Sequence, residues 1–539
     1  MTRRTLLNLL PSALTARELK PDVAILGAST GGCAAALSAL RNGMRVVLTE
    51  ETAWIGGQMT SQAVSAFDEH PWMEAFGSTR AYRDFRNSIR AYYRRHYPLA
   101  EEARARTPWN PGGGLVSNFA CEPTVALKVF ESLLAPYVSS GQLTLLTRHI
   151  PTAADTGNDR VRAVTIKSLH SGREHTLNAS YFIDATELGD LLPLTKTEYV
   201  TGFESQKMTG EPSAPATPQP ANEQSFTVCF CIDYRPGEDH TIAKPEEYAF
   251  WSGYIPKLKP AWPDKLLSWK MSNPQTLEPR DLHFDPTEAN RSPGPLNLWL
   301  YRRIASRANF ASPTHQTDVS LINWPQNDYW LGRLIDVPHA EFQHHVRSAG
   351  QLSLSLLYWM QTNGWKGLRL RPDLCGTEDG LAMYPYIREA RRIQAEFTIA
   401  EQHVAASARP NQTTAQAFHD SIGIGSYRID LHPTTAGDNY LDVSSLPFQI
   451  PLGALIPKRM ENLIPASKNI GTTHITNGCY RLHPVEWNIG ESAGMLAAHC
   501  VRLRQPPRHI RNQPKLLAAF QDELRAQGIE THWPVLRAR

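Results

Sequence analysis

The chain has 539 residues, 41% of them hydrophobic, and its 55 basic and 52 acidic side chains leave a formal net charge of +3. That length can bury large cores, while so even a balance supplies no field for nucleic acid or an anionic membrane surface. No run approaches 18 uninterrupted apolar residues, so no integral membrane segment is expected, and the seven cysteines contain no CxxC pair.

Residues 1–20 read as a leader. Arg3-Arg4, a short apolar run and small residues up to Ala16 have the layout of a twin-arginine signal, which exports proteins already folded. A periplasmic or exported protein is one expectation, and a cytoplasmic protein with an unstructured leader is the other. The next segment, DVAILGASTGGCAAALSALRNGMRVVLTEE, reads as strand, glycine turn, helix, strand and acid. Asp22 to Leu26 suits a buried parallel strand, Gly27 permits a tight turn, and Gly32 lets the small-residue helix from Cys33 to Leu40 pack closely. Arg45 to Thr49 is a second buried strand, and Glu50 ends it, 18 positions after Gly32.

This order is what an ADP-containing dinucleotide requires. Its pyrophosphate sits on the helix N-terminus, and the acid accepts both ribose hydroxyls. Ser29 replaces the second fingerprint glycine, which slightly restricts backbone approach while offering a hydroxyl to a phosphate oxygen. An acid at position 50 disfavours a 2′-phosphate, which points to FAD or NAD rather than NADP; a ligand-free βαβ unit is the bland alternative. GASTG, Gly27 to Gly31, and GESAG, Gly490 to Gly494, also match the GxSxG elbow of serine hydrolases. The second lies in an expected helix, and the dinucleotide reading accounts for more of the first.

Farther on, WIGGQMTSQAVSAFDEH puts Gly57 and Gln58 in a polar loop directly after the second strand. Ser78 to Tyr97 has helical spacing and reads as an amphipathic surface helix with its tyrosines inward. A helix starts near Glu122, a strand and hairpin follow, and YFIDATELGDL is a returning strand with Ala185 in its turn. Gly210 to Asn222, rich in Pro, Ser and Ala, marks a linker. TVCFCID places Cys229 and Cys231 on one strand face as core residues. Asn323, Trp324, Asn327 and Asp328 form a polar aromatic loop suited to a sugar-like or polar substrate, and Gly380 to Val404 reads as a loop becoming a helix that carries Arg388, Arg391 and Arg392. Strand alternation over GIGSYRIDLHP sets Arg428, Asp430 and His432 on one face, as a wall of a cavity or as a structural ladder. The 19 histidines show no HExxH pair and no Cys/His cluster, so no metal site is expected.

The last block, NIGTTHITNGCYRLHPVEWNIGESAGMLAAHC, gathers His474, Asn477, Arg481 and His483 in a loop before a helix that starts near Pro484 and contains Gly490. Together with the loop after Glu50 and the returning strand, it resembles the FAD-dependent oxidoreductases with two dinucleotide-binding folds. Glu187 departs from that pattern, where glycine is usual. The resemblance implies an α/β fold, a Rossmann-like, glutathione-reductase-like FAD-binding domain built from discontinuous segments (21–205 and 446–505). An α+β substrate domain (206–445) is inserted, and 506–539 form a C-terminal extension. It implies FAD as cofactor, held by Gly27, Ser29, Thr30, Gly32, Glu50, Gly57, Gln58, Ala185, Asn477, His483 and Gly490. His474, Arg481, Arg428 and His432 are the expected catalytic residues. The expected reaction is dehydrogenation or oxidation of a small polar molecule by hydride transfer to flavin, with an electron acceptor that the sequence does not identify. A polysaccharide-lyase-like enzyme with a structural flavin and a non-catalytic flavin-binding protein are the other readings.

Overall fold

The computed structural model describes residues 17–311 and 316–534; the Arg3-Arg4 pair lies outside them. Five parallel strands form the central sheet, in the spatial order Leu463–Pro465, Tyr181–Asp184, Val23–Leu26, Val46–Glu50, Leu143–Thr147. The Val23–Leu26, Val46–Glu50 and Tyr181–Asp184 strands are buried throughout, as strands covered on both faces must be. One cover is a four-stranded layer holding the His149–Gly157 and Arg160–Ser168 hairpin. The other is a pair of helices, Thr30–Arg41 and His483–Leu503.

Those helices touch through backbone. A Cβ on Gly490 would stand 2.0 Å from Gly31 O, one on Gly494 would stand 2.2 Å from Ala35 O, and one on Gly31 would stand 1.8 Å from Ala466 O. No side chain fits in such contacts. The Thr30–Arg41 and His483–Leu503 helices are therefore one packed unit, and GESAG sits inside the second as the sequence suggests.

A second core lies around the antiparallel sheet Arg303–Ala305, Val319–Ile322, Phe230–Tyr234, Leu368–Leu370, against the His339–Met360 helix. Phe230 and Ile232 belong to this core, while Cys229 and Cys231 face the main one, as alternation requires. Strand Ser421–Gly425 pairs with Phe448–Pro451 and is fastened to the closing helix by Asn488 Nδ2 to Ile424 O at 3.1 Å and Ser492 Oγ to Ile422 O at 2.8 Å.

Three sequence expectations change. The Arg80–His96 helix is capped by Thr79 and buries Tyr82 and Tyr93, but it also buries Arg86 and Arg90, which reach Glu74 and stack on Phe119. Gly380 to Val404 is mostly irregular, with strand Arg392–Ile393 and only Glu401–Val404 helical, because its backbone bonds to Leu188, Asn469 and Ile456 in other segments. Tertiary pairing overrides helix propensity there. The expected loop before Pro484 instead contains a helix, His474–Tyr480, started by a reciprocal Thr473–Thr476 cap.

Candidate functional site

The dinucleotide cradle opens where the central strands end. Gly27 turns the chain with φ +90°, and a Cβ there would stand 2.3 Å from Ala185 O. A cleft is lined by Gly27, Ser29, Glu50, Ala185, Glu187 and Asp190 among others. Glu50 Oε2 accepts the Ala28 N–H at 2.9 Å, and Oε1 accepts the Thr52 N–H at 2.9 Å and its hydroxyl at 2.8 Å. Burial pushes the Glu50 carboxyl up to about 7 against those bonds. Ser29 uses its oxygen as the helix N-cap, accepting the Gly32 N–H at 3.1 Å, and its O–H remains a donor. Thr30 Oγ1 donates to Gly56 O at 3.0 Å and so ties the helix to the glycine loop.

Glu187 closes over that loop. It pairs with Lys468, and a Cβ on Gly57 would stand 2.8 Å from Glu187 Oε1. Glu486, in the first turn of the closing helix, accepts from Gly31 N at 3.3 Å, from Ser467 Oγ at 2.9 Å and from Gln58 Nε2. Gln58 Nε2 also reaches Arg481 O at 3.2 Å, and this bridge leads from the cradle to a second polar region. His483 marks its edge. The Asp68 N–H donates to Nδ1 at 3.1 Å, so Nε2 carries the hydrogen and donates to Val64 O at 2.8 Å. Burial holds this imidazole below its usual range, neutral and locked against the Phe67 ring.

The second region is a chamber around Tyr386. Arg481 Nη1 donates to Tyr386 OH at 2.8 Å and Nη2 to Asp430 O at 3.0 Å. Arg388 lies 4.9 Å over the Tyr386 ring and pairs with Asp328 at 2.9 Å; Thr227 Oγ1 donates to the same Asp328 oxygen at 2.5 Å. His432 Nδ1 is 2.6 Å from Asp328 Oδ2, and its Nε2 is 3.5 Å from Asp430 Oδ2. Arg302 reaches Asp68 at 3.5 Å. Asp430 stays far below the usual carboxylate range: burial works to raise it and is outweighed by His432 and Arg481. His432 and Asp430 keep 19% and 23% of their side chains exposed, so a solute can reach them. Gly478 permits this geometry, since a Cβ there would stand 2.9 Å from Asp430 N, where the His474–Tyr480 helix lies on strand Ile429–Leu431.

The chamber unites Arg481, His432 and Asp328 with Asn323, whose Oδ1 accepts from Arg388 at 3.4 Å. It excludes other expected members. The strand begins at Ile429, so Arg428 precedes it and turns away to Asp442 and Ser444. His474 is fully buried in another cluster, with Nδ1 2.8 Å from Glu389 Oε1, and starts the His474–Tyr480 helix rather than sitting in a loop. Asn477 Nδ2 holds Arg388 O at 2.7 Å, and Gly490 packs on Gly31 rather than lining the cavity. Trp324 joins the second core, and Asn327 caps Trp324 N. The sequence reading missed Arg302, Tyr386, Asp68 and Glu486. Alternation in MYPYIRE signals the Tyr386–Arg388 pairing, whereas nothing near Arg302 marks it. At a distance, His283, Asp285 and Glu288 bring ligand-type atoms within 4.8 Å of one another, a grouping that the search for linear metal motifs does not find.

The family model described as FAD dependent oxidoreductase matches residues 22–524. The chain belongs to this family. FAD is the cofactor of these oxidoreductases, and the cradle fits it: Gly27 allows close backbone approach, the Thr30–Arg41 helix presents its N-terminus, and the Glu50 carboxylate lines the cavity. No curated protein matches the chain. Solved structures similar to this oxidoreductase include a variant of E. coli quinol fumarate reductase, 10% identical over 95% of this chain and 74% of that one, with TM-score 0.34. L-proline dehydrogenase from P. horikoshii is 14% identical over 36% of this chain and 26% of its own, with TM-score 0.19. Glycerol-3-phosphate dehydrogenase from Bacillus halodurans, complexed with FAD, is 14% identical over 40% of each chain, with TM-score 0.24. The matched region thus spans about a quarter of the proline enzyme and well under half of the glycerol-3-phosphate enzyme.

Proposed function

We propose that this oxidoreductase dehydrogenates a small polar substrate bearing a CH–OH group, with the Tyr386 chamber as the substrate site. The observation that carries the reading is the His432–Asp328 pair at 2.6 Å. Asp328 is held below its usual range: burial acts to raise it and is outweighed by Arg388 and His432, so the carboxylate is present to orient the imidazole. FAD in the cradle supplies the two-electron acceptor. His432 takes the hydroxyl proton while the carbon gives up its hydrogen as hydride, leaving a carbonyl. Arg481, joined to Tyr386 and Asp430, stabilises negative charge on the substrate oxygen as its proton passes to His432. His483 and Gln58 position Arg481 and the Asp68 segment from the cradle side.

The test is anaerobic mixing of the purified flavoprotein with alcohols, sugars and hydroxy acids, with flavin absorbance and product followed together. Bleaching with stoichiometric carbonyl is the expected result. An unsaturated product without bleaching replaces this reading with a lyase that uses its flavin structurally, and no change with any substrate class leaves a flavin-binding protein.

A further inference from the structure

The chamber has spare donors and engaged acceptors. Asp328 is taken by Arg388, Thr227 and His432, while Arg481 and Arg302 stand 3.5 Å from Asp430 and Asp68. The buried polar atoms left there without a partner are Arg302 Nε, Arg388 Nε, Arg481 Nε, Gln224 Nε2 and the hydroxyls of Ser225 and Tyr440. All can donate a hydrogen bond, and only the two hydroxyls can accept one. The orphaned acceptors Gln58 Oε1 and Gln62 Oε1 lie on the cradle side.

Arg302 is the least satisfied of the three guanidinium groups. Its hydrogen-bond contacts, to Ala66 O and Asp68 Oδ1, are both at 3.5 Å, and the Tyr301, Tyr427 and Tyr386 side chains lie near it, the Tyr301 ring at 5.4 Å. A buried guanidinium Nε without a hydrogen-bond partner is costly, and a ligand that supplies acceptors relieves the cost. A polyol brings a donor with every acceptor. A carboxylate brings acceptors alone, and its two oxygens match the fork of an arginine.

We propose that the substrate carries a carboxylate beside the oxidised carbon, that it is a hydroxy acid, and that Arg302 binds this carboxylate. This rests on the dehydrogenation reading, in which His432 receives the hydroxyl proton at the other end of the same molecule. Arg302 is thereby the residue that selects acids over neutral polyols.

The probes are malonate, an unreactive dicarboxylate, and glycerol, each titrated into the oxidised holoenzyme with the flavin spectrum as readout. Malonate is expected to perturb the spectrum saturably and glycerol to leave it unchanged. Arg302→Met is expected to weaken malonate at least tenfold at full flavin content, and Arg302→Lys to weaken it less, because an ammonium lacks the fork. An unperturbed wild-type spectrum, or wild-type malonate affinity in Arg302→Met, overturns the assignment. Should Arg302→Met fail to fold, wild-type affinity in Arg302→Lys overturns it equally. Bleaching by neutral sugars without malonate binding removes the carboxylate and keeps the dehydrogenation. Malonate binding without bleaching by any hydroxy acid does the reverse.

Discussion

Two clusters of the same residue types flank Arg388 and Glu389, which are neighbours in the chain. In one, His474 and Arg392 share Glu389 Oε1 at 2.8 and 2.7 Å, Arg392 also holds Glu204 at 3.0 Å, and neither His474 nor Arg392 has exposed surface. In the other, His432 and Arg388 share Asp328 at 2.6 and 2.9 Å, yet His432 and Asp430 remain open to solutes. Each carries a histidine, arginines and carboxylates. What separates them is access: a sealed cluster can only hold its segments together, whereas an open one can exchange protons with a ligand.

The sharpest separation comes from the histidines. His432→Ala is expected to slow anaerobic flavin reduction by roughly 10²–10⁴, the range for losing a general base, with no loss of flavin content. A wild-type bleaching rate would remove the chamber from the reaction. In the sealed cluster, Arg392→Met leaves Glu389 and Glu204 short of their cation and is expected to cost about 3–5 kcal/mol in denaturant unfolding. The same cluster responds to acid. Burial acts to raise Glu389, but His474 and Arg392 outweigh it and bring the carboxyl down to about 2. Its folded value thus lies below the unfolded one, so its stabilisation is present above about pH 4.3 and is lost as pH falls toward 2. Glu389→Gln should flatten that part of the acid profile.

Glu50 tests the cradle by the opposite sign. With its carboxyl raised to about 7 by burial, the free protein carries a proton there at lower pH, and ribose hydroxyls donate to the ionised form. Flavin affinity is expected to rise from about pH 5 to pH 7 and then level off, and Glu50→Gln to lose the slope and about 1.5–3 kcal/mol of binding. Fluorescence of released flavin measures both. The smallest effect belongs to Arg428, whose side chain is 41% exposed beside Asp442. Arg428→Ala is expected to change stability by less than about 1 kcal/mol and to leave the bleaching rate alone; a slowed rate would bring it back into the chamber.

The βαβ unit was legible because local chemistry settles it. Strands Val23–Leu26 and Val46–Glu50 and helix Thr30–Arg41 fall where Gly27, Gly32 and Glu50 place them. The chamber was legible only in fragments. Asp430 and His432 follow from alternation, but Arg428 was grouped with them because a strand start one residue later is invisible in the pattern. His474 and His432 look alike as letters, and burial alone distinguishes them. Arg302 becomes a neighbour of Asp68 through folding across a separation of 234 positions, which no local spacing reports.

The contact between Gly31 and Gly490 also sets a schedule. Synthesis separates the two residues by 459 positions (490 − 31), which at roughly 5–20 residues per second takes about 20–90 s. Throughout that interval the Thr30–Arg41 helix lacks the partner that backs it, and Glu486 has not yet reached the Gly31 N–H. A ribosome stalled before position 490 therefore carries a Thr30–Arg41 helix without its backing helix.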